Sequence, residues 1–283
     1  MNNQTARQLC TLNTRFYRRH AASFSETRQA PWKGWQRCLE SVQEILAVQT
    51  AVSGMDKAGP DWAPASLTVF DLACGNLRFE AFLSAALPET ALTFYTVDNC
   101  TELVSEKAER GFLPATARSD AAATAVLKHQ DLDVLDLVCR GVDVHGHFQA
   151  PPCDLAVAFG FLHHVPTVEY REKVLLSLVE QARPGGCVLV SFWQFAQEKG
   201  LAEKALATHG RALAELQLPP LDAGDYLLGW QDSTGAYRYC HSFTDAEVDH
   251  LIDGLAGKAR LVARFKADGR TDALNSYLVL QVN

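Results

Sequence analysis

No apolar stretch in this chain is long enough for a bilayer: the longest uninterrupted one, residues 155–162, is far short of the ~20 residues a spanning helix needs. No membrane span is expected. The first twenty residues carry basic side chains but no apolar run and no small-residue cleavage site behind them, which argues against a secretory signal and points to the cytoplasm. The eight cysteines include no CxxC pair, so neither a zinc ribbon nor a redox pair is indicated. Scattered through mostly apolar segments, they read as small hydrophobes of a reducing compartment. There is no internal repeat and no low-complexity tract. Positive charge is also short, with 26 basic against 33 acidic residues and a formal net charge of −7. Any nucleic-acid binding must then come from a local basic patch or a partner subunit.

What remains is a globular composition, 283 residues at 48% hydrophobic and 21% charged, enough for one large domain or a core with an embellishment. Residues 1–52 read as a helical cover, with Trp35, Leu39, Val42 and Leu46 recurring at the spacing of one helix face. Residues 53–66, with two prolines and two glycines, read as a linker. From residue 67 to 283, short apolar runs alternate with helical stretches. LTVFDLA (67–73), ALTFYTVD (91–98), TAVLKHQD (124–131), DLAVAFGFL (154–162) and CVLVSFW (187–193) have the length and composition of buried strands, with helices expected at 78–86, 101–110 and 168–182. This predicts an α/β fold, a doubly wound and mostly parallel sheet, Rossmann-like. Two last strands, 259–267 and 276–283, suit an antiparallel hairpin that completes seven strands, and Thr244 with Glu247 forms a capping box before a helix. Between them and the fifth strand, residues 194–241 are polar and aromatic and read as an insertion building an acceptor pocket.

Ligands of such sheets bind beyond the carboxyl ends of the strands. The first strand ends at Asp71 and turns through Ala73, Cys74 and Gly75, where glycine lets a ligand approach the backbone. The second ends at Asp98, twenty-three residues after Gly75 and close to the ~20-residue interval at which an acidic side chain meets the ribose of an adenosine. Asp98 would also serve as an N-cap for the helix after it. The third strand ends at Asp131, placed to accept from an adenine amine. A nicotinamide enzyme would need GxGxxG where this chain has ACGNLR.

In that order, DLACGNLRF, YTVD, HQD, CDLAVAFGFLHHV and LVEQARPGGCVLVSFW resemble the motif set of class I S-adenosylmethionine-dependent methyltransferases over residues 67–193. The resemblance implies S-adenosyl-L-methionine as cofactor, held by Asp71, Ala73, Gly75, Asn76, Arg78, Asp98, Asn99, Asp131 and Gly160. The usual glycine pair is replaced at Ala73 and Leu77. A second layer is narrower. Phe24-Ser25-Glu26-Thr27-Arg28-Gln29-Ala30-Pro31-Trp32, FLHHV (161–165), FWQFAQEKG (192–200) and YRYCHSFTDAEVDHLI (237–252) are similar to the tRNA wobble-uridine carboxymethyl methyltransferases.

That likeness implies methylation of a carboxymethyl group on tRNA. A carboxylate is already an anion at neutral pH, so it needs alignment and a clamp rather than a base. Arg28 would clamp it, His163, His164 or His241 would hold it by hydrogen bonds, and Trp32, Phe161 and Trp193 would stack on a base or exclude water. One of the paired histidines is expected to be structural. Arg15, Arg18, Arg19, His20, Arg28, Lys33 and Arg37 concentrate positive charge near the N-terminus, and the resemblance adds a small activator subunit as a possible partner. Cys139, His145, His147 and Cys153 are sufficient in number for tetrahedral zinc but match no metal spacing, so no metal is expected. Extended loops at 111–124 and 139–153 leave two other readings open: a small-molecule O- or N-methyltransferase, and, from the altered glycines, a non-catalytic cofactor-binding partner protein.

Overall fold

The structure is a computed structural model and describes residues 1–52, 64–109, 125–231 and 233–283. Most of the linker 53–66 and the whole loop 111–124 lie outside the described residues. Two helices lead the chain, α1 (Asn3–Glu26) and α2 (Lys33–Val52). The Asn2 side chain caps α1 by accepting from the Thr5 amide at 2.8 Å. On α2 the expected stripe is buried, with Cys38 and Ile45 beside Trp35, Leu39, Val42 and Leu46.

Strand and helix then alternate through β1 (Ser66–Leu72), α3 (Arg78–Ala86), β2 (Ala91–Asp98), α4 (Thr101–Glu109), β3 (Ala125–Asp131), α5 (Val134–Arg140), β4 (Cys153–Ala158), α6 (Val168–Gln181) and β5 (Ala182–Trp193). After them come α7 (Lys199–Leu216), a hairpin of β6 (Asp225–Trp230) and β7 (Ser233–His241), α8 (Asp245–Asp253), β8 (Ala259–Ala267) and β9 (Asn275–Val282). Seven strands form one sheet in the order β3-β2-β1-β4-β5-β9-β8, parallel as far as β5 and antiparallel at β9 and β8. Because β1 and β4 are neighbours, strand order reverses between them and a crevice opens at their carboxyl ends.

Alternation along β1 sends Leu67 and Val69 to the face covered by α2 and α3, and Phe70 and Leu72 to the face covered by α5, α6 and α8. Helices on both faces make the strands near-continuously apolar, as the sequence pattern requires. The capping box at Thr244 and Glu247 is present.

Four elements differ from expectation, one of them β5, which begins at Ala182, five residues before the expected start at 187. β4 stops at Ala158, four residues early, because Gly160 sits at φ +71° and turns the chain out of the sheet. α5 is an added helix between Asp133, which caps it, and Gly141 at φ +72°. Residues 194–241 hold α7 and a separate two-stranded sheet that packs on α1, where Asn13 exchanges hydrogen bonds with the Tyr239 backbone at 2.7 and 3.0 Å. Among the described residues, no helix is long and apolar enough to cross a membrane.

Candidate functional site

The crevice is a cleft of about 560 Å³, within the ~300–1,000 Å³ typical of small-ligand sites. One end is built by the β1–α3 turn. Ala73, Gly75 and Leu77 all have positive φ, at 61°, 55° and 58°. The two positions where glycine is replaced therefore hold the left-handed conformation that glycine adopts without strain. Leu77 gains a fully buried side chain against Cys74 and Val104 in return, whereas a side chain at Gly75 would point into open space. That open space leaves the backbone approachable from the cleft.

Asp98 reaches this turn from β2. Its Oδ2 accepts from the Gly75 amide at 2.9 Å and its Oδ1 from the Cys100 amide at 2.8 Å, so one carboxylate fixes the turn and starts α4. Burial pushes Asp98 up to about 6, against the pull of those amides. Asp71 also lines the cleft, and the fully buried Glu80 stands behind it. Burial, then the neighbouring Glu80 charge, raises Asp71 well above the usual carboxylate range.

Asn76 and Arg78 line the cleft but spend their hydrogen bonds on the segment between α1 and α2. Asn76 Nδ2 donates to Ser25 Oγ at 3.1 Å and to the Arg28 carbonyl at 3.0 Å, and Arg78 Nη1 donates to the Ala30 carbonyl at 2.9 Å. They staple the cover onto the turn. Asn99 donates to Asp133 Oδ2 at 2.8 Å and to Thr14 Oγ1 at 3.2 Å. Asp131, by contrast, is exposed and does not line the cleft; Leu132 and Asp133 do. The acidic position next to the third strand is thus displaced by two residues, because β3 ends at Asp131 and the chain turns inward only afterwards.

The other end is aromatic and cationic. Trp32 packs over Gly160, where a Cβ would lie 2.8 Å from its ring, and Phe161 and Trp193 complete the lining. Arg28 lies over the Phe24 ring at 3.9 Å and faces Trp230 at 5.2 Å. Arg238, from β7, is buried at 7% exposure, and its Nε and Nη1 have no hydrogen-bond partner. Among the described residues, neither guanidinium has a carboxylate partner. Burial, reinforced by the nearby Arg238 charge, lowers Arg28 to about 10. An unpaired buried charge costs several kcal/mol, so this end of the cleft favours an anionic occupant.

The paired histidines divide their work. His164 donates from Nδ1 to the Tyr239 carbonyl at 2.9 Å, which assigns Nε2 to accept from the Tyr17 hydroxyl at 2.7 Å. Burial lowers it to about 3, so it is neutral and structural. His163 turns its Nδ1 into a buried position without a partner, beside Trp193 at 5.0 Å, and burial holds it well below its ordinary range. His241 lies outside the cleft. Asp225 Oδ1 holds its Nδ1 at 2.7 Å and Glu247 Oε1 its Nε2 at 3.0 Å, in a buried network with Arg171 and Tyr239, leaving no ring nitrogen for an acceptor. Among the described residues of 194–241, only Arg238 lines the cleft.

The loop constellation does not converge. Cys139 faces Cys10, Cys153 donates to the Pro151 carbonyl and His147 Nδ1 lies against the Asp143 carbonyl. His163, His164 and Cys240 do place ligand atoms within 4.8 Å of one another. Both nitrogens of His164 are taken, and burial pushes Cys240 up to about 11. The neighbouring Arg238 opposes a cation there.

Sequence reasoning missed Arg238, Asn13, Tyr17 and Asp133. The signal for Arg238 was the period-two alternation of AYRYCH (236–241), a few residues after the apolar YLLGW (226–230).

No family model matches the chain. Over 182 residues it is 24% identical to the mouse protein named tRNA (carboxymethyluridine(34)-5-O)-methyltransferase ALKBH8, a match covering 64% of this chain. The chain spans about a fifth of that relative's length. A solved S-adenosylmethionine-dependent methyltransferase from Methanosarcina mazei superposes at TM-score 0.55 with 15% identity, covering 78% of this chain and 95% of that one. Magnesium protoporphyrin IX methyltransferase from Synechocystis, solved with the same cofactor, gives 0.48 at 12% identity over 95% and 97% of the two chains. With the strand order, the reversal between β1 and β4 and the antiparallel last pair already established, the fold is that of the class I S-adenosylmethionine-dependent methyltransferases.

Proposed function

We infer that the chain transfers a methyl group from S-adenosylmethionine to a carboxylate, and that this carboxylate is the 5-carboxymethyl group of a tRNA wobble uridine. The observation that carries the reading is the buried Arg238, whose Nε and Nη1 have no hydrogen-bond partner, close to Arg28 in the same cleft as the Gly75 turn. The donor set fits the cofactor: the open approach at Gly75 suits a methionine backbone, Asp71 its ammonium group, and the Asp98 carboxylate two ribose hydroxyls. When bound, the cofactor supplies an electrophilic methyl group on a sulfonium. The chain's own part is to hold and orient the acceptor. Arg28 and Arg238 grip its two carboxylate oxygens, and His163, kept neutral, adds a hydrogen bond without competing for charge. Trp32, Phe161 and Trp193 keep water from the reacting atoms. No general base is required.

The tRNA acceptor is supported by the motif at residues 24–32 and by the distant mouse relative, whose name carries that substrate. Nucleoside mass spectrometry of tRNA from a deletion strain tests it: a methyl ester missing at the wobble position supports it, and an unchanged profile sinks it. The net charge of −7 favours a second reading, a small-molecule carboxylate as acceptor. Methyl transfer to that tRNA by the purified chain alone separates the two, and transfer only with an added subunit would support the activator.

A further inference from the structure

Eight cysteines are free and buried, and among the described residues only Cys10 and Cys139 bring two sulfurs into contact, at 3.7 Å. They come from different parts of the fold. Cys10 lies on α1 and Cys139 near the end of α5, 129 residues apart in sequence. The same contact is tied on its backbone side, where Arg7 Nη2 and Asn3 Nδ2 both donate to the Cys139 carbonyl at 3.0 and 3.3 Å. The two thiols also differ in readiness. A hydrogen bond from Cys10, then the nearby Arg7 charge, pulls Cys139 below the ordinary thiol range, whereas Cys10 is pushed above it. Burial raises Cys38, Cys74, Cys100, Cys153, Cys187 and Cys240.

We propose that Cys10 and Cys139 are a reversible oxidation site at which hydrogen peroxide joins α1 to α5 by a disulfide. The Cys139 thiolate attacks a peroxide oxygen, the O–O bond breaks, and the departing hydroxide takes a proton to become water, leaving a sulfenic acid. The Cys10 sulfur, losing its proton, then attacks the Cys139 sulfur; the S–O bond breaks and a second water leaves. Two thiols lose two electrons and two protons, and hydrogen peroxide is reduced to two waters. The peroxide enters by local opening of the first turns of α1. The sulfurs must close from 3.7 Å to the ~2.05 Å of a disulfide, a movement that side-chain rotation and a small helix shift supply. Cysteine pairs that oxidise in reducing compartments are transient and regulatory, and thiol reductants reverse this one. Its structural effect is to fix α1, which carries Asn13, Thr14 and Tyr17, against α5, which begins beside Asp133 in the same cleft.

The test is peptide mapping of the full chain under non-reducing conditions before and after hydrogen peroxide. A peptide linked through Cys10 and Cys139, lost on treatment with dithiothreitol and absent from Cys10→Ser and Cys139→Ser, is the expected result. The oxidised wild type should melt roughly 5 °C or more above the reduced protein, because the link closes a long loop. In Cys10→Ser, Cys139 should accumulate as a sulfenic acid that dimedone traps. A folded wild-type chain in which peroxide leaves both thiols free, or links either to a different cysteine, overturns the proposal. None of these readouts depends on methyl transfer.

Discussion

At the β1–α3 turn the carboxyl groups gather: Asp98 accepts two backbone amides, and Asp71 has beside it the buried Glu80, whose two oxygens have no hydrogen-bond partner. On the aromatic side of the same cleft charge is left over, with Arg238 buried against the Phe16 and Trp230 rings, its Nε and Nη1 without a hydrogen-bond partner, and Arg28 held, among the described residues, by Thr27 Oγ1 and aromatic faces. The first end is an acceptor of cations and hydroxyls and is already organised by the backbone. The second is a cationic socket that bears a standing electrostatic cost until an anion arrives. A methyl donor with a positive centre and a carboxylate acceptor match the two ends in sign.

Replacing Arg238 with Met is the strongest way to break this comparison. Turnover should fall by roughly 10²-fold or more, since losing one partner of a buried charged contact costs about 2–5 kcal/mol. The same change removes an unpaired buried charge from the free protein, so its melting temperature should hold or rise. Melting curves and steady-state kinetics on one preparation check both. A drop in stability alongside intact turnover would mean that Arg238 is merely structural.

Asp98→Asn should weaken binding of S-adenosylhomocysteine roughly 10- to 150-fold by calorimetry, the loss of a charged acceptor being worth about 1.5–3 kcal/mol, while the acceptor KM stays put. A matching loss at the acceptor would show that the two ends are not separable. A smaller effect sharpens the assignment. Burial pushes Asp98 up to about 6, and in the proposed reading its ionised form accepts the ribose hydroxyls, so affinity should fall as pH drops from about 7 to 5. Asp71 and Glu80 face the same turn and titrate too. The readout is therefore the difference from Asp98→Asn, whose profile should be flatter; parallel profiles would move the titration to the other pair. The smallest expected effect belongs to Ala73→Gly. Relieving positive φ at a residue with a Cβ should raise stability by roughly 0.5–1 kcal/mol, about 1–3 °C in melting temperature.

The two ends were not equally legible in the sequence. Asp71, Gly75 and Asp98 sit where an apolar run stops, so a strand end and its chemistry could be read together. Arg28, which lines the cleft, lies in a contiguous motif. Arg238 belongs to a hairpin whose strands, β6 (Asp225–Trp230) and β7 (Ser233–His241), are mixed with polar residues and leave no long apolar run. The roles of His164 and His241 depend on Tyr17, Tyr239 and Asp225, partners that only the tertiary fold brings near. α5 was missed because seven residues are too few to display a helical period, although Asp133 and Gly141 punctuate it at both ends.

Asn13 and Tyr239 pair across 226 residues of sequence, whereas Gly75 and Asp98 pair across 23. A chain made from its N-terminus therefore carries α1 for most of its synthesis without the strand that will hold it, while the turn that cradles Asp98 can close early. The two ends of the cleft thus have different birth times. Destabilising changes in β7 should consequently yield molecules whose sheet is complete and whose anion socket never forms.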